Sequence, residues 1–337
     1  MFGLLLGLLA FLYSGILALR DAGYRLGILP TRRLPFRVIS IGNITLGGTG
    51  KTPMVINAAS LLRSMGKRPV ILSRGYGRQN ESLVTVVSGG SAERLSAKEA
   101  GDEPAMIAAR LPEIPVVVGS DRYRAGLLAA EYFQPDVAVL DDGYQHRRLA
   151  RDLNIVLIDA ADPYGTRKLF PAGILREPLS ALRRADAVVV TRVDLSASLD
   201  GLRRDIRQYT TAPVLTARYV AADLVDIASG QTRSLSSLRG ARIFAFAGIA
   251  RPEAFFSLLR SLGAEVTAVR EYPDHYRFTR SDLAEIVQST VDSDGVMIVT
   301  TEKDSVRMTD MAPEGIWALR VNMEILEGEA WETLLAA

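Results

Sequence analysis

A series of short, continuously apolar runs decides what this chain can fold into. Phe36–Ile41 (FRVISI), Pro69–Ser73 (PVILS), Pro115–Gly119 (PVVVG), Asp136–Leu140 (DVAVL), Asn154–Asp159 (NIVLID) and Asp186–Thr191 (DAVVVT) lack the polar alternation of a half-wetted strand. Strands of this kind are buried on both faces. Helical stretches such as Ala105–Arg110 and Asp121–Phe133 separate several of them. That order predicts an α/β fold, a mostly parallel sheet with helices on both faces, whose ligands sit at the carboxyl ends of the strands.

The pattern changes near residue 210. Thr211–Ser237 is short-patterned and turn-rich, and reads as a β-ribbon linker. A second βα series follows: Arg242–Ala247 (RIFAFA), a helix over Pro252–Leu262, then Glu265–Val269 and Gly295–Thr300 (GVMIVT). The 337 residues suit two domains at ~150 each. The expected division is an N-terminal helix over 1–25, a core over 26–210, a hinge over 211–240 and a smaller C-terminal α/β domain over 241–337.

Met1 to Leu19 carries no charge and is rich in Leu, Gly, Ala and Phe. The run is at the lower limit for a helical bilayer span. It lacks the positive start and small-residue cleavage site of a secretory signal. Arg20, Arg25, Arg32, Arg33 and Arg37 follow it, so the positive-inside rule keeps the main body cytoplasmic. A helix lying on or dipping into the inner leaflet is expected, a full span being the second choice and a buried core helix the third. Net charge is only +2, a mild excess that does not imply nucleic acid, which usually shows as a dense basic face, and that leaves room for local basic clusters to hold an anionic substrate. The absence of cysteine excludes disulfides, zinc–thiolate sites and thiol nucleophiles. Only two histidines occur, His146 and His275, which argues against a multi-histidine metal site. No particular protein partner is marked.

Gly47-Gly48-Thr49-Gly50-Lys51-Thr52 follows the first strand and opens a helix, the context a phosphate-binding P-loop requires. Glycines let backbone N–H groups close around phosphate oxygens, and the helix N-terminus adds positive potential. Lys51 would reach the β- and γ-phosphates of a nucleotide, and Thr52 would ligate Mg²⁺. The first glycine of the usual pattern is replaced by Thr45, with Gly42, Gly47 and Gly48 in partial compensation. Asp141-Asp142-Gly143 ends a buried strand, as a carboxylate that holds Mg²⁺ does. Adjacent carboxylates on an extended chain point to opposite sides, so one is expected at the metal. His146, three residues on, reads as a loop-packing residue. Gly101-Asp102-Glu103-Pro104 precedes a helix, and Asp102 either caps that helix or accepts the proton of an attacking hydroxyl. Arg74, Tyr76, Arg122 and Arg124 pair arginines with aromatics, suited either to a lipid phosphate and a sugar or to a solvated loop. Thr191-Arg192-Val193-Asp194 is similar to the base-reading motif of some GTPases, and reads here as a strand end.

GNITLGGTGKTP, SRGYGR, GDEP, SDRYRAG, DDGYQHRRL, LREP, PDHY and TTEKD occur in that order along most of the chain. Together they resemble the tetraacyldisaccharide 4′-kinases of lipid A synthesis, P-loop proteins; the DDGYQH, GDEP and TEKD set is far more specific than GKT or DDG alone. The resemblance implies ATP- and Mg²⁺-dependent phosphorylation of the 4′-hydroxyl of a tetraacylated glucosamine disaccharide 1-phosphate at the cytoplasmic face of the inner membrane. It implies Asp102 as catalytic base assisted by His275, with Lys51 on the phosphates. Thr45, Leu46, Gly47, Gly48, Thr49, Gly50, Lys51 and Thr52 would hold the nucleotide. Glu103, Asp141 and Asp142 would support the metal with Thr52. Arg176 and Glu177 of LREP match a motif near the nucleotide and join Arg74, Tyr76 and Arg122 as candidates to meet the substrate. His275 lies in the second domain and reaches the cleft only if the domains close. Two rivals are a soluble small-molecule kinase, which needs no apolar helix, and a membrane-recruited switch ATPase, which needs no base.

Overall fold

The computed structural model describes residues 2–91, 94–195, 198–291 and 295–337; Met1, the first residue of the apolar run, lies outside the described residues. In chain order the first half contains α1 (Phe2–Arg25), β1 (Arg37–Asn43), α2 (Lys51–Ser64), β2 (Pro69–Ser73), β3 (Thr85–Ser88), α3 (Ala97–Ala100), α4 (Asp102–Arg110), β4 (Val116–Val118), α5 (Arg122–Phe133), β5 (Val137–Asp141), β6 (Leu153–Asp159) and β7 (Ala187–Thr191). The second half contains α6 (Leu199–Ile206), β8 (Val214–Asp226), β9 (Thr232–Arg233), β10 (Arg242–Ala247), α7 (Pro252–Ser261), β11 (Glu265–Glu271), α8 (Arg280–Val291), β12 (Val296–Thr301), α9 (Glu302–Ser305), β13 (Ile316–Ile325) and α10 (Gly328–Ala336).

The strands form one hydrogen-bonded series in the order β11-β10-β12-β13-β8-β7-β6-β1-β5-β2-β4-β3, with β9 paired to β8. Pairing is parallel from β2 and β4 through β5, β1, β6 and β7 to β8, and again among β10, β11, β12 and β13. Each apolar run of the first half is a strand within a residue or two of its expected bounds. The β2, β5 and β7 residues are all buried, which is why those runs do not alternate.

Thr211–Ser237 is less turn-rich than its composition suggests. Nearly half of it is the 13-residue strand β8. Its first part continues the parallel sheet against β7, and the rest pairs antiparallel with β13. Two strands therefore carry the chain between the halves. The outer ends of this ribbon are joined by the ion pairs Arg218–Glu324 at 2.6 Å and Arg320–Asp223 at 2.5 Å. After β13 the chain returns to the first half. Trp331 and Leu335 of α10 are buried in the same core as Met54, Ile41 and Val139, and Trp331 Nε1 donates to Asn57 Oδ1 at 2.8 Å.

α1 is long enough to cross a bilayer, about 36 Å at 1.5 Å per residue. Its window Leu5–Arg25 has a mean hydropathy of 1.6, and only 11% of it is buried. Leu5, Leu8, Leu12, Ile16 and Leu19 recur at helical spacing on the exposed side, and Phe11 is 75% exposed. The C-terminal half is tied down: Tyr13 Oη donates to Arg176 O at 2.9 Å, and Asp21 pairs with Arg147 at 2.6 Å. A water-facing helix puts its polar side out; this one puts its apolar side out, as a helix in lipid does.

Candidate active site

β1 lies between β5 and β6, and the loop that follows it crosses the carboxyl edge of the sheet. Gly50 ends that loop at φ +91°, a left-handed conformation that L side chains resist. A Cβ there would stand 2.6 Å from Met323 Cε and 2.8 Å from Tyr219 Oη, so the β8–β13 ribbon also demands glycine. The loop is bound to its surroundings through two of its carbonyls, one hydroxyl and one backbone N–H. Thr191 Oγ1 donates to Thr49 O at 2.9 Å, and Arg192 Nη2 donates to Gly48 O at 3.2 Å. Asn43 Nδ2 donates to Thr49 Oγ1 at 3.0 Å, and Leu46 N donates to Ile174 O at 2.7 Å. α2 then starts at Lys51, with its positive end toward the loop. The Lys51 ammonium is nearly buried and rests 3.9 Å from Asp142. Thr52 is buried beside it.

Sheet register brings the acidic strand end to this loop, since Asp141 on β5 is opposite Ile41 on β1. The two adjacent aspartates have different partners. Asp141 is buried and accepts from Ser73 Oγ at 2.9 Å through Oδ2, while its Oδ1 has no partner. Burial, reinforced by the negative charges of Glu103 and Asp142, raises its pKa to about 7. Asp142 takes φ +50° and accepts from Arg176 at 2.8 and 3.0 Å. Burial opposes its ionisation, but Lys51 and Arg176 prevail and hold its pKa below the usual carboxylate value. Among the described residues no three His, Cys, Asp or Glu side chains form a ready metal cage. The orphaned Asp141 oxygen amid neighbouring carboxylates, together with a threonine hydroxyl in the first turn of α2, nevertheless fits a hard dication completed by phosphate oxygens.

Asp102 is not a helix cap. The N-cap of α4 is Gly101 at φ +92°, where a Cβ would meet Tyr76 O at 2.9 Å. The Asp102 carboxylate is thereby left for other contacts, and both come from the second half of the chain. His275 Nδ1 lies 2.9 Å from Asp102 Oδ2, and Arg307 Nε donates to the same oxygen at 2.8 Å. Burial alone would raise the Asp102 pKa, but Arg307 and then His275 outweigh it and lower it. His275 has φ +61°, and its Nε2 is 3.3 Å from Lys303 Nζ. The two halves therefore meet at Asp102, and the next residue along, Glu103, is close enough to perturb Asp141.

Residues 2–337 match the family model described as tetraacyldisaccharide-1-P 4′-kinase. The chain belongs to this family. Relatives named tetraacyldisaccharide 4′-kinase include one from Syntrophus aciditrophicus (strain SB), 42% identical over 99% of this chain and 92% of that protein. Another, from Pelobacter propionicus, is 44% identical over 90% of this chain and 82% of the relative. The solved "apo" form of LpxK from Aquifex aeolicus in complex with ATP superposes with a TM-score of 0.83 at 34% identity, covering 100% of this chain and 99% of that one.

The remaining candidate residues of this 4′-kinase family member lie around the same cleft in unequal settings. Arg74 and Tyr76 are exposed, Tyr76 by 72%. Arg122 is buried; burial lowers its pKa to about 10, against the pull of Asp141. Its Nη1 donates to Ser120 O at 3.0 Å. Arg176 ties LREP to Asp142, whereas Glu177 is buried against Arg184 and lies 3.4 Å from Arg20 of α1. His146 is a packing residue, its pKa lowered to about 4 by burial and then by Arg122. Arg307 and Arg192 were not among the sequence candidates. Arg192 pairs with Asp159 at the end of β6 and holds Gly48, so the TRVD strand end braces the P-loop. Arg307 follows Asp304 of TEKD by three residues, a helical spacing that places both on one side; that spacing was the only available signal.

Proposed function

We propose that this chain transfers the γ-phosphate of ATP to the 4′-hydroxyl of a tetraacylated glucosamine disaccharide 1-phosphate, the reaction for which its family is named. The P-loop backbone and the α2 N-terminus bind the β- and γ-phosphates, and Lys51 leaves Asp142 to meet them. Thr52 and Asp141 would hold Mg²⁺, with Asp142 and Glu103 around them; the ion supplies neutralisation of charge developing on the phosphates. Asp102 accepts the proton of the attacking hydroxyl, and His275 orients it. A carboxylate base is sufficient because phosphoryl transfer depends chiefly on alignment and charge stabilisation.

The observation that carries this reading is the contact of Asp102 with His275 at 2.9 Å, which joins the two halves beside the nucleotide loop. A nucleotide switch has no use for such a carboxylate. We read 26–210, completed by α10, and the part of 241–337 that precedes β13 as lobes that close about the β8–β13 ribbon, so that water is kept from the γ-phosphate. The exposed apolar side of α1 favours a lipid acceptor over a soluble one and brings the cleft to the membrane surface. The arginines after α1 favour a body on the cytoplasmic side of the inner membrane. Arg74, Tyr76, Arg122 and Arg176 are the candidates to meet the sugar and its 1-phosphate, with Glu177 fixing the LREP loop. The test is incubation with γ-labelled ATP, Mg²⁺ and a disaccharide 1-phosphate lipid in mixed micelles. A labelled bisphosphate lipid is expected. Label released only as inorganic phosphate would refute the reading in favour of a switch ATPase.

A further inference from the structure

The TEKD segment is so far unused by the reaction, yet it touches the base-bearing helix at both ends. At the C-terminus of α4, Arg110 Nη1 donates to both carboxylate oxygens of Glu302 at 3.0 Å, and Arg110 Nη2 donates to Asn322 Oδ1. Both members of the Arg110–Glu302 pair are nearly buried. At the N-terminus of α4, Arg307 reaches Asp102. Arg307 is itself only 5% exposed and is held from behind: its Nη1 donates to Asp304 Oδ1 at 2.9 Å and to Gly248 O at 3.2 Å. Asp304 is fully buried and accepts from Gly248 N at 3.0 Å and Thr301 Oγ1 at 2.6 Å. The guanidinium thus has a fixed backing and one free edge, and that edge meets Asp102, with Nη2 also 3.3 Å from His275 Nδ1.

The contacts divide the Asp102 carboxylate. Arg307 Nε, Arg307 Nη2 and His275 Nδ1 all address Oδ2, and none of the described hydrogen bonds uses Oδ1. We infer that Arg307 is a positioning residue for phosphoryl transfer: it engages Oδ2 when the lobes close and so presents Oδ1 to the acceptor hydroxyl. This rests on the kinase reading above and adds to it a part for the TEKD segment. A planar cation that closes two N–H groups on one carboxylate oxygen suits the task, because it holds that oxygen in place and leaves the other open. Lysine supplies the charge without the second prong.

The test is a double-mutant cycle on the full-length enzyme with the lipid acceptor, using Arg307→Ala, Asp102→Ala and the pair. If Arg307 acts only through Asp102, Arg307→Ala lowers kcat by roughly 10²-fold, the usual penalty of a misplaced reacting group. KM for ATP stays within about threefold, and the double variant is no slower than Asp102→Ala. Added guanidinium restores at least tenfold of the activity of Arg307→Ala and none of that of Asp102→Ala. Arg307→Lys, which keeps the buried charge, falls between wild type and Arg307→Ala and serves as the folded variant if alanine unfolds the lobe. Losses that multiply in the double variant, absence of guanidinium rescue in a folded Arg307→Ala, or a fully active Arg307→Lys would each overturn the inference while leaving the kinase reading intact. A wild-type protein that transfers no phosphate to the lipid would overturn both.

Discussion

Gly50→Ala should weaken the nucleotide site by an amount that can be worked out beforehand. Two costs arise. At φ +91° an alanine meets the left-handed penalty, roughly 1–2 kcal/mol. Its Cβ would also lie 2.6 Å from Met323 Cε and 2.8 Å from Tyr219 Oη. The Met323 methyl is the flexible end of its side chain and can swing away, so this overpacking belongs at the low end of its range, about 1 kcal/mol. The total is about 2–3 kcal/mol. If the free protein keeps the loop closed, the cost appears as lost stability. If the loop relaxes when empty, the cost is met when ATP closes it, and appears as weaker binding by roughly 30- to 150-fold at 1.36 kcal/mol per decade. Urea unfolding and calorimetric ATP titration of the same preparation measure the two parts, and their sum should be 2–3 kcal/mol. Met323→Ala in the same background should return only the packing part, read as a coupling energy. A Gly50→Ala protein with unchanged unfolding free energy and an ATP Kd within twofold of wild type would refute the reasoning.

Asp102→Ala should lower phosphate transfer to lipid by ~10² or more in a protein that still folds, and near-wild-type turnover would remove Asp102 from the base role. Trp331→Ala should destabilise the first half by roughly 3–5 kcal/mol in chemical denaturation, because it empties a buried indole site and leaves Asn57 without its donor. Exchanging Leu8, Ile16 and Leu19 for Asp should abolish co-sedimentation with vesicles, since each buried side chain is worth about 1.5–3 kcal/mol in lipid; retained binding would show that another surface holds the membrane. Burial opposes ionisation of Asp226, but bonds from Ser229, Gly315 and Ala228 outweigh it and hold its pKa below the usual value. A depressed carboxylate stabilises above its unfolded pKa and loses that contribution as pH falls through the folded one. Asp226→Asn should therefore be less stable than wild type at pH 7, with the gap narrowing below about pH 4 in pH-dependent melting.

The strands around the P-loop were legible because they are buried on both faces, and such burial leaves a continuous apolar run. Of the ribbon, β8 was legible only as a β-ribbon within Thr211–Ser237, without its length, and its partner β13 was not legible at all. Their polar residues find partners across the ribbon, Arg218 with Glu324 and Arg320 with Asp223, at separations of 106 and 97 residues. Along the sequence, such residues read as turns or surface. The same limit divides the site. The loop from Thr45 to Thr52 is contiguous and declares itself, whereas Asp102 and His275 are 173 residues apart and were joined only through the family resemblance. Arg307 had no such guide. Asp102 alone suggested a helix cap, and it is freed from that duty because Gly101 takes the cap position.

The docking of α10 against α2 also fixes an order of events during synthesis. Trp331 and Leu335 complete the core that contains Met54 and Ile41, so β1, α2 and β5 emerge from the ribosome long before their final neighbours exist. At ~5–20 residues per second the interval is on the order of ten seconds or more. Throughout it the nascent nucleotide lobe carries an open apolar seam beside an already exposed, lipid-seeking first helix, and an early encounter with the bilayer would shelter the one while the other waits.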